Sequence, residues 1–315
     1  MADSQKSSFG KQKTDNTLLY GFILLLAVGF FLLIGLTFIF AGSFSPGLGK
    51  CVAIVEIDGE IATAGIPMSL LSEGLPGSED YAVTIESLNN RDDIASVVFV
   101  INSPGGSVVA AHDIYYAIKS VEKPKVAYFR EVAASAGYYI ATPTDYIMSD
   151  PDTLTGSIGA VMTVVQMKGL FEKLGVNMTN IASGKYKDIG AMNKDLSPDE
   201  FAMLQEIVNE SYQSFKSVIL NERKGKLDVL KFEEVADGRI LSASQAKSVG
   251  LIDALGTKKD AIKKASELGG IIGEPRICKI KAVPQGYDGS LLGADSFFQK
   301  LMSSGNGKTI SLSFQ

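Results

Sequence analysis

Ser135 stands in the stretch AASAG, residues 133–137, soon after the apolar run KVAYF at 125–129. A serine among alanines and a glycine lets a substrate approach its hydroxyl, and equally lets a strand meet a helix inside an α/β core. As a nucleophile it would need a base to take its proton, and the usual base is histidine. The chain has one histidine, His112, six residues after Gly106 in a run of helical spacing, which reads as helix surface or packing. Asp113, Asp152 and Asp188 therefore have no histidine to orient. A lysine can replace imidazole when burial disfavours its charged form, because desolvation lowers an amine pKa from about 10.4 by several units. Lys185 and Lys187 both lie in the segment SGKYKDIG at 183–190. Extended-chain alternation would put both on one face, so spacing does not choose between them, and either also reads as a solvated surface lysine.

A second element of acyl chemistry is the run Asn102-Ser103-Pro104-Gly105-Gly106. A Gly-Gly turn that opens a helix presents unpaired backbone N–H groups, which bind a developing oxyanion as readily as a phosphate. No Gly-Lys-Ser/Thr follows, so the rest of a P-loop is missing. The same SPGG also serves as an ordinary strand-to-helix turn.

Elements of two periodicities must position these residues. Residues 51–58, 94–101, 125–129 and 146–149 are short apolar, β-branched or aromatic runs that predict strands, while 82–89 and 108–121 carry helical spacing. Alternation of the two implies βαβ units and a largely parallel sheet, an α/β fold. Ser197-Pro198-Asp199-Glu200 predicts a helix start with a capping box. Phe201, Leu204, Ile207, Val208, Phe215 and Val218 then recur at helical spacing, as core or as subunit contact. From about residue 269 Gly, Ser, Lys and a few apolar residues mix without periodicity, and the sequence assigns that stretch no function.

The chain has 315 residues, 46% of them hydrophobic, enough for a substantial core. Its net charge of −5 and the lack of a basic stripe argue against a nucleic-acid partner. Cys51 and Cys278 form no CxxC or Cys/His cluster, which argues against a metal site and leaves a disulfide open but unsupported. Residues 18–41 contain no charge and as a helix exceed the hydrocarbon core of about 30 Å. They predict a transmembrane anchor; the rival, a cleaved signal peptide, usually has an apolar region of only about 7–15 residues. Lys6, Lys11 and Lys13 precede this segment and only Lys50 closely follows it, which predicts a cytoplasmic N-terminus and an extracytoplasmic domain.

INSPGG (101–106), AASAGYYIA (133–141), TGSIGA (155–160), SGKYKDIG (183–190) and DGRILSASQAKSVGLID (237–253) occur in the order and near the spacing of bacterial signal peptide peptidase A. The chain resembles the short, single-unit form of that family from about residue 51 to 256, anchor included. The resemblance implies a serine protease of Clp/crotonase fold with a Ser/Lys dyad and no cofactor. By motif it makes Ser135 the nucleophile and Lys187 the general base. It places the oxyanion donors at the backbone N–H groups of Gly106 and Ala136, with Ser157 as the hydroxyl that orients the lysine. Many members have glycine where Ala136 stands, but a backbone donor survives that change.

The expected layout is a cytoplasmic N-terminus at 1–17, an anchor at 18–41, a linker at 42–50, a protease domain at 51–268 and a C-terminal extension at 269–315. The expected protein is a single-pass membrane endopeptidase. It would act on peptides, including signal peptides left in the bilayer, as a homo-oligomeric ring whose sites are shared between protomers. A crotonase-type acyl-CoA enzyme and a non-catalytic membrane scaffold are the alternatives on the same fold. The first is disfavoured because CoA chemistry is intracellular.

Overall fold

The computed structural model describes residues 26, 28–30, 49–66, 74–284 and 313–314. The chain divides into Met1–Gly49 and Lys50–Gln315. Most of the apolar segment 18–41 lies outside the described residues; residues 26 and 28–30 are helical. Among the described residues no helix is long and apolar enough to cross a membrane.

The second unit is built on a sheet whose strands alternate with helices along most of the chain. Strands β1 (Cys51–Asp58), β2 (Ile94–Ser103), β4 (Lys125–Ala134), β5 (Tyr146–Ser149) and β6 (Leu154–Gly156) are joined by β7 (Ile240–Ser242), β8 (Ala254–Leu255) and β9 (Arg276–Ile280). The order is β7-β6-β4-β2-β1-β9, with β5 pairing β4 and β8; every pairing is parallel except β6–β7. A short β3 (Gly106–Ser107) lies outside this sheet and pairs antiparallel with β10 (Ser313–Phe314).

Strand alternation divides the core into two layers. Val52 and Ile54, Val98 and Val100, and Val126 and Tyr128 face α8 (Lys258–Leu268) through its Ala261 and Ala265. Their neighbours Ala53, Val55, Val97, Phe99, Ala127 and Phe129 face the larger layer. There pack α1 (Ser78–Glu86), α2 (Val108–Ser120), α3 (Ala136–Tyr139) and the second half of α5 (Pro198–Glu222). The shorter α4 (Lys168–Lys173) buries nothing, while α6 (Val229–Val235) and α7 (Ala243–Val249) close the far end.

The sequence-predicted strands and helices form, and in two of them, β4 and α5, details beyond the expectation matter for the site. β4 runs on past Phe129, through the charged Arg130 and Glu131, because it changes partner there: Val126–Phe129 pair with β5 and Val132–Ala134 with β6. α5 starts at the predicted cap, with Ser197 and Glu200 closing a reciprocal capping box. Only its C-terminal half enters the core through Phe215 and Ile219; Phe201, Met203 and Ile207 of its first half are exposed. Cys51 and Cys278 form a disulfide that joins β1 to β9.

Candidate active site

Ser135 ends β4 and begins α3, at φ 56° and ψ −120°. A non-glycine residue in that region costs roughly 1–3 kcal/mol and persists only where its surroundings enforce it. They do so here. The Ser135 N–H donates to the Gly156 carbonyl at 2.9 Å, and the Ser135 carbonyl accepts from the Tyr139 N–H at 2.9 Å. The side chain is fully buried and its hydroxyl has no hydrogen-bond partner among the described residues. A buried hydroxyl left unpaired costs a further 1–3 kcal/mol or so. Two such costs at one residue mark a group held for use rather than for packing.

The turn opposite is built from glycine for steric reasons. A Cβ on Gly137 would meet the Ser103 carbonyl oxygen at 2.7 Å, so only glycine lets α3 lie this close to the end of β2. Gly106 has φ +150°, and a Cβ there would stand 2.1 Å from the Ile61 carbonyl oxygen. Ile61 grips both sides of that glycine: its N–H donates to the Gly105 carbonyl and its carbonyl accepts from the Ser107 N–H, each at 2.8 Å. Strand alternation therefore leaves the N–H and carbonyl of Gly106 facing the other edge of β3. On that edge Phe314 is in register with Gly106 and Ser313 with Ser107. α3 packs against β3, so the N–H of Ala136, at the start of α3 where no intrahelical acceptor exists, belongs to the same corner.

Ser157 follows Gly156 and is nearly buried, with φ 49° and its N–H donating to the Arg239 carbonyl at 2.8 Å. Beneath the corner, Tyr138 donates its hydroxyl to the Leu251 carbonyl at 2.8 Å. The buried Arg223 grips the Gly250 carbonyl and both oxygens of Asp253. The GLID stretch at 250–253 is thus the floor that holds α3 in place, a role for which the motif gave no signal.

The two lysines are separated clearly. Lys185 pairs with Asp199 at 2.9 Å and lies over the Tyr186 ring. Hydrogen bonds to Tyr186 and Asp199 push its pKa up, which keeps it charged. Lys187 sits in the next turn, exposed, with no ion pair or side-chain hydrogen bond among the described residues. Since neither the Ser135 hydroxyl nor the Lys187 amine has a partner, the two are not within hydrogen-bond reach of each other inside one chain. The strand ends thus bring together Ser135, Ala136, Gly106 and Ser157, and leave Lys187 outside.

His112 packs edge-on to Tyr116 and tilted over Tyr139, and burial lowers its pKa. It makes no hydrogen bond to Ser135 and is a packing residue. Among the described residues Cys51, Asp93 and Cys278 come close enough to share an ion, but the two sulfurs are bonded to each other and are no longer thiolates.

The model of peptidase family S49 matches residues 117–271, and that of Clp protease matches residues 78–148. The mostly parallel α/β sheet is thus of the Clp-protease type. A relative from Synechocystis sp., named as a protease, is 39% identical over 262 residues, which span 82% of this chain and 88% of that one. One from Methanocaldococcus jannaschii, also named as a protease, is 36% identical over 193 residues, 61% of either chain. A protein of Enterococcus faecium named as signal peptide peptidase SppA is 32% identical over 216 residues, 68% of this chain and 62% of that one. The matched stretches therefore span less than two thirds of the last two relatives.

Proposed function

Because this chain belongs to peptidase family S49, we propose that it works as a serine endopeptidase in which Ser135 of one copy is activated by Lys187 of a neighbouring copy. A peptide lies extended along the edge of β3 that Ser313 and Phe314 occupy in this structure, taking their place, with its scissile carbonyl oxygen between the N–H groups of Gly106 and Ala136. Ser135 Oγ bonds to the carbonyl carbon while its proton passes to the neutral Lys187 amine. The C–N bond then breaks, and the lysine returns that proton to the departing amine, leaving an acyl-enzyme. Water attacks the ester, its proton passes to Lys187 and on to Ser135 Oγ, and the acid leaves. Ser157, beside the nucleophile, holds the incoming lysine in line. No step calls for a metal or an organic cofactor.

The observation that carries this reading is the pair of unmet needs. Ser135 has a strained backbone and a hydroxyl without a partner, while Lys187 is exposed and unpaired. A base lysine must be desolvated to be neutral, and one chain offers Lys187 no such surroundings. A second copy can supply them. In support, Val165, Leu170, Leu174, Met178 and Ile181 of the segment that leads to Lys187, and Phe201 of α5, are exposed apolar side chains that a closed ring would cover.

The place of action belongs to the same proposal: a domain on the extracytoplasmic face, anchored by residues 18–41, cleaving signal peptides left in the bilayer. The uncharged apolar run and the lysines before it support the orientation. The Cys51–Cys278 disulfide supports an oxidising compartment.

A fluorophosphonate probe tests the chemistry. The assembled protein is expected to be labelled at Ser135, to lose labelling in Ser135→Ala and to be labelled far more slowly in Lys187→Ala. Absence of label from the folded oligomer would return the acyl-CoA or scaffold reading of this fold.

A further inference from the structure

The turn that carries Lys187 is tied to the molecule by a charged network that the chemistry above does not use. Lys194 Nζ lies 2.7 Å from Asp188 Oδ1 and 2.6 Å from Glu200 Oε1. Asp188 is the residue next to Lys187. Glu200 is 4% exposed and is fixed by the capping box at the start of α5. The other Asp188 oxygen accepts from Asn180, which also donates to Asn193, and Asn193 donates to the Met178 carbonyl. Residues 172–185 are exposed throughout, and the other tie from this turn to α5, the Lys185–Asp199 pair, is itself solvent-exposed. Apolar burial does not fix the loop, so polar bonds must.

We infer that Lys194 is the positioning residue for the base, holding Asp188 against the N-terminus of α5 and thereby setting where Lys187 points. This rests on the reading of Lys187 as the base. Lys194 acts in a second way, through charge. Of the other charged groups here, Lys185 is paired with Asp199 and Lys168 with Asp195, Tyr186 lies under Lys185, and Glu172, Lys173, Glu206 and Glu210 form no ion pair among the described residues. Lys194, Asp188 and Glu200 together carry one net negative charge, and without Lys194 they carry two. Hydrogen bonds to Lys194 hold both carboxylates below their ordinary pKa and raise that of Lys194, so all three stay ionised near neutral pH. Negative charge beside a lysine favours its protonated form. Loss of Lys194 therefore hinders the base, and loss of the Asp188 charge has the opposite electrostatic effect.

The test measures kcat and KM across pH on a fluorogenic peptide, in the assembled full chain, for Lys194→Met, Lys194→Arg, Asp188→Asn and Lys187→Met. Lys194→Met is expected to lower kcat by tenfold or more, on the order of what a misplaced group costs, with KM within about twofold. Its rising limb of kcat/KM moves to higher pH. Asp188→Asn also lowers kcat, but its rising limb moves to lower pH, and Lys194→Arg restores most of the turnover. Should Lys194→Met fail to fold, the contrast between Asp188→Asn and Lys194→Arg carries the same test. Unchanged kcat and an unmoved limb in Lys194→Met, with Lys187→Met inactive, would overturn the positioning role and leave the base reading intact. Limbs that move the same way in Lys194→Met and Asp188→Asn would also overturn it. Full turnover in Lys187→Met would remove the base and this inference together.

Discussion

The Ser135 N–H donates to the carbonyl of Gly156 at 2.9 Å, and Ser157 follows directly, so the two serines leave adjacent strand ends side by side. Among the described residues they are the two non-glycine residues with positive φ, 56° and 49°. Such strain on neighbouring residues must be held from both sides. The Ala134–Gly156 pairing of β4 with β6 holds one, and the Arg239 carbonyl, accepting from the Ser157 N–H, holds the other. Ser135 and Ser157, the proposed nucleophile and orienting hydroxyl, are thus one constructed unit, and the energy stored there comes from the sheet around it.

Ser135→Ala removes a buried hydroxyl that has no partner. Peptide turnover is expected to vanish while stability to urea stays level or rises by about 1 kcal/mol. Ser135→Val puts a β-branched side chain at the same positive φ and is expected to destabilise by roughly 1–3 kcal/mol. A clear loss of stability in Ser135→Ala would mean that the hydroxyl is a structural group.

Gly106→Ala sets a Cβ against the Ile61 carbonyl oxygen, so β3 must shift and carry the Gly106 N–H away from the proposed oxyanion position. A fall in kcat of roughly 10²–10³-fold is expected, the usual cost of one lost oxyanion donor. The far-ultraviolet circular dichroism spectrum should not change, because β3 lies outside the main sheet. Wild-type kcat in this variant would remove Gly106 from the site.

Much of this arrangement is legible in the sequence. The buried strands are continuous apolar runs, Ser197 and Glu200 announce the start of α5, and the small residues around Ser135 announce a close approach. What is not legible is set by contacts distant in the chain. The charges at Arg130 and Glu131 make β4 look finished at Phe129, and only its change of partner from β5 to β6 carries it on to Ser135. Ile61 gives no sign that its backbone clasps Gly106. Neither cysteine indicates the other, because their pairing depends on β9 adding to β1 across 227 residues. Spacing alone does not separate Lys187 from Lys185; the motif singles out Lys187, and the pairing of Lys185 with Asp199 is set by a contact 14 residues away.

The disulfide closes a loop of 227 residues. Replacing both cysteines by serine is expected to cost about 3–5 kcal/mol of unfolding free energy, by release of chain entropy in the unfolded state. Urea titration reads this directly, with activity at 25 °C retained. Coincident midpoints for the variant and the oxidised protein would mean that the bond contributes nothing.

Ser313 and Phe314 pair with the edge of β3 on which the substrate is proposed to lie. Truncation after Pro284 is expected to raise kcat/KM for an extended peptide several-fold, by removing a tethered competitor. A synthetic SLSFQ peptide should then inhibit the truncated protein competitively. If the peptide does not compete, substrate binds elsewhere than on β3.

The shared site is tested most directly by mixing two inactive chains. Ser135→Ala protomers keep an intact lysine and Lys187→Ala protomers an intact serine. Co-expressed or refolded together, they can build a working junction wherever an intact serine meets its neighbour's intact lysine. With random equal mixing in a closed ring, roughly one quarter of junctions are restored, and turnover should return to near that fraction of wild type. Mixed oligomers whose co-assembly is verified by two different tags, but whose turnover stays at background, would contradict a site built between protomers.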